Sequence, residues 1–405
     1  MTAGVTVGAP LKVFLIAGEE SGDALGAGLM QALGEATGGR VRFSGIGGRR
    51  MADHGLASLF PMEEIALHGV TEVLARLPQL AARISQTVAA VVAAGPDVLI
   101  AIDCPAFSLR VARRVRRLNR RIAVVDYVSP SVWAYLPGRA RTMARFVDRV
   151  LAILPFEPEV HRRLGGPPCT YVGHPLITRL ASLRPATGER ASLGGGPPVL
   201  LVLPGSRRSE VTRLMAPFGE TIGRVVQQCG PLDVVLPAVP RFVDEIRARS
   251  AGWPVKPKIV EGEAEKLAAF RRAHAALAAS GTVSLELALS AVPMVVAYRT
   301  DPLVRLLKPF LRAKSIVLPN LIIDERAIPE FIDRDSDPAR LAAALAPLLR
   351  DSPERAAQLA AFERLEGLMD PDGLAPSARA AQAVLETLRM RRVPLPDAWL
   401  RPGFL

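Results

Sequence analysis

Cysteines and long apolar runs are scarce in this 405-residue sequence. Cys104, Cys169 and Cys229 are odd in number and widely spaced, which excludes a disulfide framework and a structural zinc site and fits a reducing compartment. The first apolar run begins at Leu11 and ends at Gly18, so it is too short for a signal-peptide core or a membrane span. Any contact with a membrane is therefore expected to be peripheral.

Several motifs that carry catalytic chemistry are also missing. The sequence has no G-x-x-x-x-G-K-[ST] loop, no G-x-S-x-G elbow and no His-rich or acidic cluster with metal-ligand spacing. Glycines at positions 18, 22, 26 and 28 follow the first predicted strand, but they do not spell the dinucleotide fingerprint G-x-G-x-x-G. We therefore expect no metal and no cofactor. Arginine, backbone amides and a helix dipole would have to neutralise a phosphate ligand.

Length and charge set broad bounds on the function. A chain of 405 residues favours two domains, and 49% hydrophobic with 22% charged residues is a globular composition. Lys and Arg exceed Asp and Glu by 51 − 39 = 12 charges, which favours an anionic partner. Charge alone leaves a nucleotide, a nucleic acid and an anionic membrane surface open.

Short apolar runs alternate with helical patterns, which predicts an α/β protein with two Rossmann-like, doubly wound domains facing a cleft. Strands are predicted at 12–17, 41–44, 97–102, 122–127, 150–154 and 170–173, and again at 199–203, 233–236, 257–260, 275–279 and 293–298. A stretch rich in Pro, Gly and Ser at 184–198 indicates a linker. The predicted organisation is an N-terminal domain at 1–183, a second domain at 184–375, and a C-terminal helix and tail at 376–405, of which 392–405 has no assigned role.

Two strands of the second domain end in turns suited to a phosphate. The run 199–203 stops at Pro-Gly-Ser-Arg, and the run 275–279 stops at Ser-Gly-Thr. Ligands of open α/β sheets collect at the carboxyl ends of the strands, and helix starts favour anions. We expect Arg207 to clamp a nucleotide diphosphate and Glu286 to accept hydrogen bonds from sugar hydroxyls. The candidate donor-site residues of these two turns are Ser206, Arg207, Ser280, Gly281, Thr282 and Glu286.

The first domain supplies a candidate general base. The predicted strand 97–102 delivers Asp103 to its carboxyl end, where a carboxylate suits proton abstraction, although an Asp that caps the next helix has the same spacing. The loop with Gly18, Glu20 and Ser21 opens the first helix and is a candidate acceptor loop. The apolar region 62–94 is either a core-facing helix or a wall for a lipid chain.

Two basic segments also have two interpretations each. Residues 110–121 contain seven arginines on the polar side of a predicted amphipathic helix, which is usually only a solvated face. Residues 303–312 place Arg305, Lys308 and Arg312 opposite an apolar face. This pattern is typical of a membrane-surface helix and equally of a surface helix over the core.

Eight sequence blocks resemble, in order, those of the lipid-A-disaccharide synthase family. They are AGEESGDALGAGLM (17–30), VSPSVWAY (128–135), LPFE (154–157), VGHPL (172–176), LPGSRRSEV (203–211), ASGTVSLE (279–286), PMVVAYR (293–299) and LPNLI (318–322). The resemblance implies an inverting GT-B glycosyltransferase of lipid A biosynthesis. Its donor would be UDP-2,3-diacylglucosamine, its acceptor 2,3-diacylglucosamine 1-phosphate (lipid X), and its products a β(1→6) disaccharide and UDP.

The resemblance also carries expectations about partners and residues. It implies a protein without a metal or a nucleic-acid partner, peripheral to the cytoplasmic face of the inner membrane. It also implies a homodimer in many members, with C-terminal helices that cross back to the N-terminal domain or swap between subunits. The motif residues that it carries over are Asp103 (I-D-x-P), Arg207 (L-P-G-S-R), Glu286 (the S-G-T helix) and Asn320 (L-P-N-L). The chain departs from the pattern at Asp126, where the family commonly has His, and at Ala106, where it often has Asp.

Two other functions remain open on the sequence. A GT-B-fold UDP-sugar 2-epimerase shares the phosphate and ribose contacts, but it needs further carboxylates around the sugar. A non-enzymatic basic module that binds nucleic acid or an anionic membrane would use the arginine run, but it would leave Asp103 and Glu286 without a role.

Overall fold

The computed structural model describes residues 9–66, 77–300, 313–370, 372–393, 395–396 and 399. The chain forms two compact units, one of Met1–Pro175 with Asp372–Leu405 and one of Leu176–Pro371. The chain therefore passes from the first unit to the second after residue 175 and returns after residue 371. The sequence predicted these boundaries after residues 183 and 375. The basic segment 303–312 and residues 67–76 of the apolar region lie outside the described residues.

The first unit contains a six-stranded parallel sheet with the order β2-β1-β3-β4-β5-β6. Its strands are β1 (Leu11–Ala17), β2 (Val41–Ile46), β3 (Val98–Ile102), β4 (Ala123–Tyr127), β5 (Arg149–Ala152) and β6 (Cys169–Tyr171). Central strand β3 is apolar and completely buried, because helices cover both faces of a parallel sheet. All six strands were predicted, with boundary differences of one or two residues.

Seven α-helices of the described residues belong to this unit. They are α1 (Glu20–Ala36), α2 (Arg49–Ala52), α3 (Leu77–Ala94), α4 (Pro105–Leu118), α5 (Gly138–Met143), α6 (Glu157–Leu164) and the last helix of the chain, α15 (Pro376–Met390). Val384 and Leu388 of α15 share one core with Leu29 and Leu33 of α1, and each such buried side chain contributes roughly 1.5–3 kcal/mol. The predicted return of the C-terminal helix to the N-terminal domain is thus confirmed within one chain.

The second unit contains another six-stranded parallel sheet, with the order β12-β11-β10-β7-β8-β9. Its strands are β7 (Val199–Leu203), β8 (Asp233–Ala238), β9 (Lys258–Glu261), β10 (Ala275–Ala279), β11 (Met294–Tyr298) and β12 (Glu330–Ile332). Its helices are α7 (Leu180–Leu183), α8 (Arg208–Cys229), α9 (Val243–Ser250), α10 (Glu263–Arg272), α11 (Val283–Leu289), α12 (Leu318–Ile323), α13 (Pro338–Leu345) and α14 (Pro353–Met369). Five strands were predicted. The short edge strand β12 was missed, because three residues carry no periodic signal.

The pairing of β7 with β10 decides where a ligand can bind in the second unit. The chain continues outward from β7 through β8 and β9 on one side, and from β10 through β11 and β12 on the other. The strand order therefore reverses between β7 and β10, which is the topological switch point where open α/β sheets bind ligands.

The stretch 184–198 lies inside the second unit rather than between the units. The half-buried guanidinium of Arg190 donates hydrogen bonds to the carbonyl oxygens of Phe270, Ser290 and Ala291, at 3.3, 2.7 and 2.6 Å. Burial lowers the pKa of Arg190 to about 10. Although its composition is that of a linker, one half-buried cation anchors this stretch to the domain.

Candidate active site

A cavity of about 490 Å³ opens at the switch point of the second unit. Both turns predicted to hold a phosphate line it, because they follow the adjacent strands β7 and β10. The predicted residues in its wall are Ser206, Arg207, Ser280, Gly281, Thr282 and Glu286, and the wall also contains Gly205, Glu210, Glu263 and Lys266. The structure therefore brings the two predicted turns into one cavity.

The turn after β7 is held by a carboxylate that the sequence did not predict as part of the site. One oxygen of buried Glu210, in the first turn of α8, accepts hydrogen bonds from the backbone amides of Ser206 and Arg207 at 3.0 and 3.2 Å. The other accepts one from the Arg207 guanidinium at 3.1 Å. Gly205 is required here, because its φ is +114° and a Cβ would lie 2.4 Å from the Glu210 carboxylate. These two amides are thus occupied, and the Arg207 side chain, 75% exposed, is the group left to meet an anion.

The turn after β10 presents backbone amides at the start of α11. The Ser280 hydroxyl donates to the carbonyl of Ile316 at 2.7 Å, so it is used inside the fold. Within the described part of the chain, the amides of Gly281, Thr282 and Val283 donate to no carbonyl. They stand at the start of α11, where the backbone favours a negative charge.

Glu286 has a cationic partner that was not predicted. The Lys266 ammonium lies 2.9 Å from one Glu286 carboxylate oxygen and 3.6 Å from a Glu263 oxygen. Glu286 is 9% exposed, and the Lys266 side chain is 24% exposed. The pair joins α10 to α11. Because its two residues lie far apart in the sequence, their spacing did not predict the contact.

Asn320 does not line this cavity, contrary to the predicted donor contact. It is buried, and its side-chain amide donates to the carbonyl of Ile328 and accepts from the Ile328 amide, each at 2.9 Å. The side chain thereby closes the loop after α12. Its role in this structure is to hold the backbone.

In the first unit, Asp103 follows β3 at the carboxyl edge of the sheet. Its φ is +44°, an uncommon conformation for a residue other than glycine, and its amide donates to the carbonyl of Tyr127 at 3.1 Å. The Ser21 hydroxyl donates to an Asp103 carboxylate oxygen at 2.9 Å. Burial raises the pKa of Asp103, against the opposing effect of the Ser21 hydrogen bond. The predicted loop and the predicted base therefore meet.

The other residues of that loop contribute differently. A Cβ at Gly18 would lie 2.5 Å from the Cys104 sulfur, so the loop packs against the residue after Asp103 only because position 18 is glycine. Glu20 is exposed in the first turn of α1, and no hydrogen bond or ion pair joins it to Asp103 within the described residues. Ala106, where the family often has Asp, is exposed in the first turn of α4.

Two further carboxyl groups are buried in this unit, Asp126 close to Asp103 and Glu157 close to Asp126. Asp126 in β4 is 2% exposed, and one of its carboxylate oxygens has no hydrogen-bond partner among the described residues. Burial, and then the charge of Asp103, raises the pKa of Asp126 well above its usual range. Glu157 accepts hydrogen bonds from Trp133 and the Leu154 amide, yet burial raises its pKa to about 8. The sequence indicates the burial of Asp126, because this acidic residue stands inside the otherwise apolar strand AVVDY.

Two absences among the described residues concern metals and membranes. No group of three or more His, Cys, Asp or Glu side chains within them could hold a metal ion. No helix among them is both long enough and apolar enough to cross a bilayer.

Comparison with known proteins gives consistent matches. A family model described as Lipid-A-disaccharide synthetase matches residues 13–384. The lipid-A-disaccharide synthase of Rhodopseudomonas palustris (strain HaA2) is 54% identical over 388 residues, which cover 96% of this chain and 99% of that one. The corresponding protein of Nitrobacter winogradskyi is 53% identical, with 94% and 96% covered.

Solved structures resemble the chain in fold alone. A glycosyltransferase of kitacinnamycin has a TM-score of 0.59 at 18% identity, and the match covers 93% of this chain and 99% of that one. The calicheamicin glycosyltransferase has a TM-score of 0.57 at 15% identity, with 95% and 100% covered. A UDP-GlcNAc 2-epimerase from Methanocaldococcus jannaschii has a TM-score of 0.54 at 14% identity, with 93% and 99% covered. Transferases and an epimerase share this two-domain GT-B architecture, so the fold does not distinguish the two chemistries.

Proposed function

The chain belongs to the lipid-A-disaccharide synthase family, and on this premise we propose which of its residues bind the donor and which activates the acceptor. It is a glycosyltransferase of lipid A biosynthesis, and its donor is a UDP-sugar. We propose that the donor is UDP-2,3-diacylglucosamine and the acceptor 2,3-diacylglucosamine 1-phosphate. The observation that carries the proposal is the switch-point cavity, in which a cation, a fixed carboxylate and amides that donate to no carbonyl of the described residues converge.

The donor side of the proposal divides UDP between the two turns. The exposed Arg207 guanidinium and the amides of residues 281–283 would hold the diphosphate and stabilise the charge that develops on it as UDP departs. Glu286 would accept hydrogen bonds from the ribose hydroxyls. Lys266 would position Glu286, because it engages one carboxylate oxygen and leaves the other for the ligand. Loss of one such electrostatic contact typically costs about 10²- to 10³-fold in rate.

The acceptor side rests on Asp103. As the 6-hydroxyl oxygen of the acceptor attacks the anomeric carbon, its proton passes to the Asp103 carboxylate and the bond to UDP breaks. This single displacement converts an α-linked donor to a β-linked product. Ser21 orients the carboxylate, and burial strengthens it as a base by raising its pKa.

Peripheral attachment to an anionic inner-membrane surface belongs to the same proposal. Both proposed substrates carry acyl chains, and the chain carries twelve excess positive charges. The homodimer stays a prediction.

The test compares Asp103→Asn with Asp53→Asn, a matched change at an exposed carboxylate of the same unit. Asp103→Asn should lower turnover by about 10²- to 10⁴-fold while UDP affinity stays unchanged, because proton transfer is lost and donor binding is not. Mass spectrometry of the product from the two diacyl sugars gives the readout. If Asp103→Asn kept most of the activity, Asp103 would not be the general base. If the wild-type enzyme formed no disaccharide, the two proposed substrates would be wrong.

A further inference from the structure

The arginine run of the first unit forms one exposed surface. Helix α4 buries Phe107, Val111 and Val115 against the sheet and turns its arginines outward, at the i, i+3, i+4 and i+7 spacing of a single stripe. Arg120 follows the helix, and Arg145 approaches the same place from the segment after α5. We call this surface the arginine face; it consists of Arg110, Arg113, Arg114, Arg117, Arg120 and Arg145, all exposed.

No carboxylate among the described residues neutralises the arginine face. No ion pair of the described residues involves any of its six side chains, and the sequence has no acidic residue between Asp103 and Asp126. Among the described residues that line the depression of about 520 Å³ at the end of α4, Asp148 is the one carboxylate, and it is already bound by Arg116. Its second cationic neighbour is Arg391, at 3.7 Å.

Stabilisation of α4 does not require this much charge. Cations in the last turn of a helix complement its dipole, which accounts for Arg116 and Arg117. Arg145 and Arg391 come from distant parts of the sequence and converge on the same depression, where like charges repel. A concave surface lined by one sign of charge concentrates counter-ions. The arrangement therefore favours an anionic partner.

Exposed apolar side chains favour a lipid surface over a nucleic acid as that partner. Leu118, the last residue of α4, is 67% exposed, and Met390, beside Arg391, is 61% exposed. They are the two most exposed large apolar side chains among the described residues. The Arg391 guanidinium binds the Arg120 carbonyl, which brings Met390 to the end of the arginine face. Contacts with nucleic-acid phosphates use no protruding apolar groups, whereas a bilayer interface accepts both kinds of side chain.

We infer that the arginine face, with Leu118 and Met390, is the surface on which this protein lies against anionic phospholipid. Helix α4 begins two residues after Asp103 and its 14 residues extend about 21 Å. A membrane along its outer side therefore also reaches the edge of the sheet at which Asp103 lies. The inference rests on the proposed function in one respect: a lipid-linked acceptor would be delivered to Asp103 along the bound surface.

The test measures flotation of the full-length protein with vesicles of phosphatidylcholine, alone or mixed with phosphatidylglycerol. Arg113→Gln/Arg117→Gln/Arg145→Gln removes three exposed charges from the face. Arg224→Gln/Arg272→Gln/Arg334→Gln removes three exposed charges from the second unit as the matched control. Each arginine near an anionic surface contributes about fivefold to binding, so the first variant should bind about a hundredfold more weakly and the control almost as well as wild type.

A second variant and a second assay separate the outcomes. Leu118→Gln/Met390→Gln should weaken the binding that remains at high salt, because that part is apolar. Equal vesicle binding by the two triple variants would overturn the inference, and so would equal binding of the wild type to neutral vesicles. Loss of affinity for an RNA duplex or inorganic pyrophosphate with unchanged vesicle binding would assign the face to those anions instead.

Turnover with detergent-dispersed substrates tests the proposed function separately, because it needs no vesicle. The Arg113, Arg117 and Arg145 variant should keep wild-type turnover there. Loss of its detergent turnover together with its vesicle binding would overturn the inference in favour of a structural role. Failure of the wild type itself in detergent would instead overturn the proposed function.

Discussion

Replacement of Lys266 by Met tests the least anticipated feature of the donor site. Met keeps most of the length of the side chain and removes the ammonium that lies 2.9 Å from Glu286. A hydrogen bond between charged groups contributes about 1.5–3 kcal/mol, and removal of one partner of a fully buried pair costs more. Since Lys266 is 24% exposed and is shared with Glu263, we expect a loss of about 1–2 kcal/mol in UDP binding, which is about 5- to 30-fold in Kd.

Calorimetric titration with UDP and with 2′-deoxy-UDP distinguishes positioning from simple attraction of the diphosphate. If Lys266 orients Glu286 toward the ribose, Lys266→Met weakens the binding of UDP more than the binding of 2′-deoxy-UDP. The variant then prefers UDP over 2′-deoxy-UDP less than the wild type does. If the ammonium only attracts phosphate, both ligands weaken equally. Lys266→Arg should retain part of the preference, because it restores a cation beside Glu286.

A double-mutant cycle completes this test. Once Glu286→Gln has removed the carboxylate, Lys266→Met should have little further effect on the preference for UDP, because the two residues act through one contact. Two results would refute the reasoning: wild-type affinities for both ligands in Lys266→Met, or losses of preference that add in the double variant.

Two further predictions concern buried polar groups. Asn320→Ala should lower the free energy of unfolding by about 2–4 kcal/mol in denaturant titrations, because both backbone groups of Ile328 lose a partner. The folded variant should bind UDP as the wild type does. Weaker UDP binding at unchanged stability would contradict this prediction. Burial raises the pKa of Asp126, so the folded state keeps a proton that the unfolded chain releases above about pH 4, and wild-type stability falls as pH rises from there toward the folded pKa. Asp126→Asn should therefore be more stable than wild type at neutral pH but not at pH 4. If the free energies of unfolding of the two proteins varied with pH in parallel, the prediction would be wrong.

Much of the fold was readable from the sequence, because its signals are local. The run 275–279 was predicted to the residue, since five consecutive buried apolar residues bounded by a Ser-Gly-Thr turn are typical of a parallel strand. Asp103 and Arg207 were placed at strand ends by the same reasoning. The sequence did not reveal what holds residues 184–198 against the second unit, because composition does not show which backbone carbonyls Arg190 will meet.

The sequence by itself determined the family, the two α/β units and the strand ends that carry Asp103, Arg207 and Ser280–Thr282. Only the tertiary structure decided what each group is free to do. It engages the amides of residues 206 and 207 with Glu210, pairs Lys266 with Glu286, and commits Asn320 to Ile328. The reason is physical: strand and turn preferences depend on neighbours along the chain, whereas hydrogen-bond and ion-pair partners are set by the packing of whole elements. The composition of a site is therefore local information, and its chemistry depends on the packed fold.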